Sequence, residues 1–198
     1  SDDGLVNVSK DGGVSWSKIV ENLPKDRWIS RVVASAHKKE RVYVTLNGYR
    51  NDDFATYVYS SDDYGQTWKS IANNLPASPV NVIVEDNVNE NILYLGTDNG
   101  LYVSLNQGSN WNDFSNGIPN VAVHDLVIQK KAKDLVVGTH GRSIYKVNLE
   151  PVQQLNEKVL AENLHVFEIK KIKKSKEWGN NWSSWAKAAE PKAEIWFY

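Results

Sequence analysis

Cysteine and methionine are both missing from the 198 residues. Without cysteine there is no disulfide and no thiolate chemistry, although the compartment stays open on that ground alone. The lack of methionine extends to position 1, so the chain reads as a piece of a longer product. No apolar run reaches the 18 or so residues that a membrane-spanning helix needs, and Ser1-Asp2-Asp3-Gly4 does not begin a signal peptide. The formal net charge is −1, which removes the electrostatic case for nucleic acid or an anionic membrane as partner. No His/Asp/Glu cluster has metal-ligand spacing and no phosphate-cradling loop is present, so no cofactor is expected.

What the chain does have is repetition. Ser61-Asp62-Asp63-Tyr64-Gly65-Gln66-Thr67-Trp68 follows the pattern Ser-x-Asp-x-Gly-x-x-Trp. Ser9, Asp11, Gly13 and Trp16 repeat it, and Ser104, Asn106, Gly108 and Trp111 repeat it with Asn for Asp. The pattern suits a tight turn between strands. Ser and Asp side chains bond nearby backbone N–H groups, and Gly takes a positive φ. The Trp is expected to fold back as an apolar cover for its own turn.

Around each turn the same order of short strands recurs. A breaker (Asn22-Leu23-Pro24, Asn74-Leu75-Pro76, Gly117-Ile118-Pro119) precedes a run suited to a buried strand, at 28–34, 80–84 and 121–128. A second strand follows at 41–45, 92–96 and 134–138, and a third at 56–60, 101–104 and 143–147. Four antiparallel strands in 40–50 residues make a β-propeller blade. The expected fold is therefore all-β: the end of one blade at 1–20, complete blades at 21–73 and 74–116, and a final partial blade at 117–149. Open blade faces at both ends are a second reason to expect a larger propeller, and they call for further blades or a partner to cover them.

Residues 150–190 break the repeat and read as a linker or wrapping segment, with a basic run at 170–176 and Trp178, Trp182 and Trp185 in a polar loop. Those tryptophans are expected to plug a domain junction. Residues 191–198 end on Ala193-Glu194-Ile195-Trp196-Phe197-Tyr198, read as the first strand of a β-sandwich-like module with no partner left in the chain.

The repeated turns resemble the Asp boxes, or BNR repeats, of sialidases, sortilin-type propellers and xyloglucan-degrading hydrolases. The resemblance is nearest to secreted bacterial sortilin-like or BNR-repeat glycosyl hydrolase family proteins. It is carried by Asp2-Asp3-Gly4-Leu5-Val6, by residues 47–53, by Leu95-Gly96-Thr97-Asp98-Asn99-Gly100-Leu101-Tyr102-Val103-Ser104 and by Gly138-Thr139-His140-Gly141-Arg142-Ser143-Ile144-Tyr145. It covers about residues 1–150. It implies an extracytoplasmic bacterial protein, a ligand face opposite the boxes, and a structural role for Asp11, Asp63 and Asn106. Fold does not dictate chemistry here, since propellers with this turn include hydrolases, receptors and scaffolds.

The opposite face is built by the blade-to-blade loops and by the loops between second and third strands. Arg27, Trp28, Tyr49, Arg50, Asn99, His140 and Arg142 are its candidate ligand contacts. The loop at 47–55 is long for an economical repeat, whereas Asp98-Asn99-Gly100 is a minimal hairpin turn. Glycoside hydrolysis needs two carboxyls, one kept protonated, and Asp52, Asp53 and Asp98 are the candidates. Arg27, Arg31, Arg50 and Arg142 could in principle hold a sialic acid carboxylate, but no sialidase signature frames them. His124 and Asp125 read as a mutually satisfied pair. The first function expected is a propeller module that binds glycan or protein, with no catalytic centre complete in this stretch. The alternatives are part of a glycoside hydrolase, or a component or cargo of an outer-surface assembly.

Overall fold

The computed structural model describes residues 1–169, 172, 174–176, 178–181, 183–185, 187–188 and 190–198. They fall into two compact units, Ser1–Gln153 and Gln154–Tyr198.

The first unit is a series of antiparallel sheets taken in chain order. Strands β1 (Asn7–Val8) and β2 (Ser17–Lys18) pair with each other. β3 (Trp28–Ala34), β4 (Val42–Gly48), β5 (Asp53–Ser61) and β6 (Lys69–Ser70) form a four-stranded meander. β7 (Val80–Glu85), β8 (Leu93–Thr97), β9 (Gly100–Ser104) and β10 (Asn112–Asp113) form a second. β11 (Val123–Gln129), β12 (Asp134–Thr139) and β13 (Ile144–Asn148) form a three-stranded sheet. The expected four-strand blades are present, each built from neighbouring stretches of chain, with short hairpins throughout.

Blade stacking explains the strand compositions. A blade between two others is buried on both faces, so its strands read as continuous apolar runs rather than alternating ones. All five residues of β8 are buried. Leu93 and Leu95 join Tyr43, Val58, Ile71 and Trp111 on one side, while Tyr94 joins Leu101, Leu126, Leu135 and Val137 on the other. A third cluster (Val6, Ile19, Leu23, Ile29, Val44, Leu46) fills the space between β1–β2 and the next blade. Each hydrophobic core of this unit therefore lies between two blades. β13, by contrast, alternates exposed and half-buried residues.

Two sequence expectations change here. The loop at 47–55 is short, because β4 runs on to Gly48 and β5 starts at Asp53. Between them lies only a single 3₁₀ turn, Tyr49–Asn51, closed by Asp52 in the left-handed region. The tryptophans also act outside their own turns. Trp68 donates its indole N–H to Ile19 O (2.8 Å), and Trp111 donates to Ile71 O (2.7 Å), in each case one blade back along the chain. Each of these two rings packs instead into the core between its own blade and the preceding one. Only Trp16 folds onto its own turn, at Gly13 O (3.2 Å), and it remains 64 % exposed.

After β13 the Ser-x-Asp turn is replaced by helix α1 (Glu150–Gln153), capped by Asn148 Oδ1 on Glu150 N (2.9 Å). Leu149 N donates to Lys133 O (2.7 Å), which reproduces the bonds of Tyr64 N to Glu40 O and Gln107 N to Asn91 O in the two complete blades. Leu149 is fully buried, and Gln153 Nε2 donates to the Asp86 carboxylate (2.9 Å).

The second unit contains α2 (Glu157–Leu160) and a bridge between Val166 and Phe197. His165 and Tyr198 exchange both backbone hydrogen bonds at 2.9 Å, and Phe167 N donates to Trp196 O. The segment expected to lack a partner thus pairs with residues 165–167, which are themselves an alternating apolar stretch. Trp185 is exposed, while Trp182 and part of the basic run (170, 171, 173) lie outside the described residues.

Interblade packing makes the turn glycines sensitive. A Cβ at Gly108 (φ +82°) would sit 2.8 Å from Ile71 Cβ, and one at Gly65 would overlap Ile19 Cδ1. Gly13 has a positive φ (+95°) but open space around it. Gly108→Ala is expected to cost about 2–4 kcal/mol from strain plus overpacking, and Gly13→Ala about 1 kcal/mol from strain alone. Urea unfolding of the two variants checks the difference.

Candidate functional site

The Ser-x-Asp turns come first, since their acids are the most regular in the chain. In the second turn Ser61 Oγ donates to Asp63 Oδ1 (2.7 Å) and accepts from Gly65 N (2.8 Å). Asp63 Oδ1 also accepts from Thr67 N (2.9 Å), and its Oδ2 accepts from Thr67 Oγ1 (2.6 Å). Asp11 makes the same bonds with Ser9 and Ser15. Asn106 Oδ1 keeps the acceptor role toward Ser104 Oγ and Asn110 N, so the turn works without the charge. The Thr67 hydroxyl, the Thr67 N–H and the Ser61 hydroxyl hold Asp63 down to about 2, and the Ser15 and Ser9 donors do the same for Asp11. These carboxylates are turn-forming acceptors, each already accepting three hydrogen bonds within its turn.

The other end of the blades carries the remaining candidates. Asn47, at the end of β4, accepts from Tyr49 N (3.0 Å) and donates to Asn81 Oδ1 of β7 (3.1 Å). Asn81 donates in turn to Asp98 Oδ1 (2.8 Å) and to Val123 O of β11 (3.3 Å). Three successive blades are tied by this line of amides beneath the loops at this end of the blades, and Asn47 and Asn81 are both buried. Nothing in the repeat pattern singled these two asparagines out. Their signal was the appearance of Asn inside otherwise apolar strands.

Arg27 and Asp53 form an ion pair (NH2 to Oδ2 2.7 Å, Nε to Oδ2 2.8 Å), and Tyr57 OH also donates to Asp53 Oδ2 (2.7 Å). The Tyr57 hydroxyl, the Ala55 N–H and the Arg27 guanidinium hold the Asp53 carboxyl below its ordinary value. Trp28 opens β3, and the Arg50 guanidinium lies 5.2 Å from its ring centroid. Tyr49, Arg50 and Phe54 are exposed around it. Asp52 is exposed at the left-handed cap of the 3₁₀ turn, and Asn99 is exposed in the two-residue hairpin between β8 and β9.

His140 and Arg142 are exposed in the β12–β13 hairpin. The expected His124–Asp125 pair is not made. Asp125 Oδ1 accepts from Arg31 NH2 of β3 (2.7 Å), while the His124 ring lies 5.2 Å from that of His140. A register shift in the β11–β12 pairing lies between Val123 and Asp125. Among the described residues no three His, Cys, Asp or Glu side chains group as a metal site.

No family model and no curated protein matches the sequence. Solved structures do match the fold. An ancestral GH74 enzyme is similar at 16 % identity with a TM-score of 0.54, covering 74 % of this chain and 23 % of that one. The GH74 xyloglucanase from Xanthomonas campestris is similar at 16 % identity and TM-score 0.51, over 70 % of this chain and 24 % of its own. YCF48 bound to D1 peptide is similar at 12 % identity and TM-score 0.53, over 74 % of this chain and 44 % of that one. These are propeller proteins, and the sheets described above are propeller blades. The chain spans about a quarter of the length of the two GH74 enzymes and under half of that of YCF48.

The turn acids give a pH prediction. The folded value of Asp63, about 2, lies below the unfolded 3.8, so its contribution to stability is complete above about pH 4 and is lost as pH falls toward 2. Asp63→Asn should keep the turn, as Asn106 does, and should flatten that part of the acid-unfolding profile. Melting temperature against pH for the two proteins tests it.

Proposed function

We propose that these blades belong to an extracytoplasmic propeller that binds a glycan or a protein on the face bearing Trp28, Tyr49 and Arg50, with no catalytic centre complete within the 198 residues. One observation carries this reading. Two of the three candidate acids on that face are engaged, Asp53 with Arg27 and Tyr57 and Asp98 with Asn81, while Asp52, Tyr49 and Arg50 beside them are exposed. A general acid for glycoside cleavage must stay protonated near neutral pH, and the environment of Asp53 favours the opposite state. Aromatic faces and an arginine are what sugar stacking or a protein hot spot uses. The resemblance to secreted sortilin-like and BNR-repeat proteins supports the location.

The hydrolase reading has its own support in the GH74 neighbours, and in it Asp52 would act with a carboxyl from another blade. YCF48, matched as a peptide complex, supports the protein-ligand side and the assembly alternative. A panel of polysaccharides and surface-protein peptides, screened by calorimetry against the native chain and a Tyr49→Ala/Arg50→Ala variant, separates these. Binding that weakens tenfold or more in the variant, about 1.4 kcal/mol, is the expected result. Release of new reducing ends, abolished by Asp52→Asn, would establish the hydrolase instead.

A further inference from the structure

We infer that His124 and His140 form a binding site for a divalent transition-metal ion of the Zn(II), Ni(II) or Cu(II) class. The site begins in the backbone. The β11–β12 pairing runs from Val123 opposite Thr139 to Asp125 opposite Gly138, which leaves His124 as an extra residue on β11. A bulge of this kind re-aims side chains. Here β11 exposes two residues in a row, His124 and Asp125, between buried Val123 and Leu126. Asp125 pairs with Arg31 of β3 (2.7 Å), and the His124 ring lies beside that of His140. His140 follows β12 directly, and its N–H donates to Ala122 O (2.9 Å). Both histidines are therefore carried by one hydrogen-bonded strand pair.

The separation of the rings suits a shared ion. Imidazole nitrogens lie about 2.0–2.1 Å from Zn(II), so two of them on a tetrahedral ion place their ring centres about 5 Å apart. The two ring centroids are 5.2 Å apart, with the planes 36° from each other. The rings are also uncommitted. Both residues are exposed, and among the described residues neither ring makes a hydrogen bond or an ion pair. The other two histidines are engaged, His37 Nε2 with Asp86 O (2.7 Å) and His165 Nδ1 with Glu162 Oε2 (2.8 Å).

Imidazole suits these metals, whereas magnesium and calcium take oxygen ligands. The nearby acids do not complete a protein-only ligand set, since Asp125 is held by Arg31 and Asp98 by Asn81. Two protein ligands leave the ion's remaining positions to water or to a donor atom of a bound molecule. The inference does not rest on the glycan or protein reading of this face.

Calorimetric titration of the chain with zinc chloride, at neutral pH in a buffer that does not chelate, should show one ion per chain. His124→Ala and His140→Ala should each weaken binding at least about tenfold, since residues that merely support metal ligands are already worth about 10–100-fold in affinity. Both changes fall on exposed side chains, so the metal-free melting curves should match that of the native chain. In a parallel NMR titration the ring signals of His124 and His140, assigned through the two variants, should move together while those of His37 and His165 stay. Absence of heat and of ring shifts up to about 1 mM zinc overturns the site and leaves two rings in simple contact. Binding that either variant leaves intact, or that an equal concentration of magnesium displaces, overturns it in favour of zinc held elsewhere on the surface.

Discussion

The contact on which the first unit depends is the indole of one blade bonded to the isoleucine carbonyl of the blade before it. A blade alone is a four-stranded sheet with two apolar faces, and it has no core until a neighbour covers one of them. The three hydrophobic clusters lie between blades, so the burial that stabilises any one sheet belongs equally to the next. Apolar packing does not by itself fix how one sheet is set against another. Directional bonds do, and at the turn end they are Trp68 to Ile19 and Trp111 to Ile71, seconded by Asn73 Nδ2 to Gly108 O and Asn74 Nδ2 to Trp111 O. The Ser and the Asp or Asn of these turns serve this contact by holding the glycine and tryptophan in place.

At the opposite end the line from Asn47 through Asn81 to the Val123 carbonyl does the equivalent work with side-chain amides. A buried amide left unpaired costs about 1–3 kcal/mol, so each of these groups specifies a relative placement of blades as much as it stabilises one. Tyr49 and Arg50 stand on a single 3₁₀ turn whose start is pinned by Asn47, and whose end leads into the Arg27–Asp53–Tyr57 cluster.

The blade order was readable from the chain because its signals are local. Ser-x-Asp-x-Gly-x-x-Trp marks a turn through bonds spanning at most four residues, and the Asn-Leu-Pro breakers mark where one sheet ends. The destination of the tryptophans was not readable, since Trp68 reaches a residue 49 positions earlier and local chemistry allows it to cover its own turn equally well. The same holds for Asp125, whose partner Arg31 is 94 residues away and two blades removed. The loop at 47–55 was overestimated because polar residues 47, 51, 52 and 53 mask strand extension: Asn47 is buried in β4 and Asp53 opens β5.

Helix α1 shows what the turn motif is for by replacing it. After β13 there is no Ser, Asp or Trp in register, yet Leu149 N still reaches Lys133 O as Tyr64 and Gln107 reach their own carbonyls. The apolar part of the contact is kept by Leu149, buried in the cluster between the last two blades, and the directional part by Gln153 on Asp86. Asp86 also accepts from Val88 N, Asn89 N and the Tyr94 hydroxyl, so one buried carboxylate joins a strand end, a turn and the helix. What the architecture requires at that position is one backbone bond, one large apolar side chain and one polar tie to the preceding blade. The tryptophan turn is one sequence that supplies all three, and the Leu-Glu-Pro-Val-Gln helix is another. A motif search therefore stops one blade before the structural repeat does.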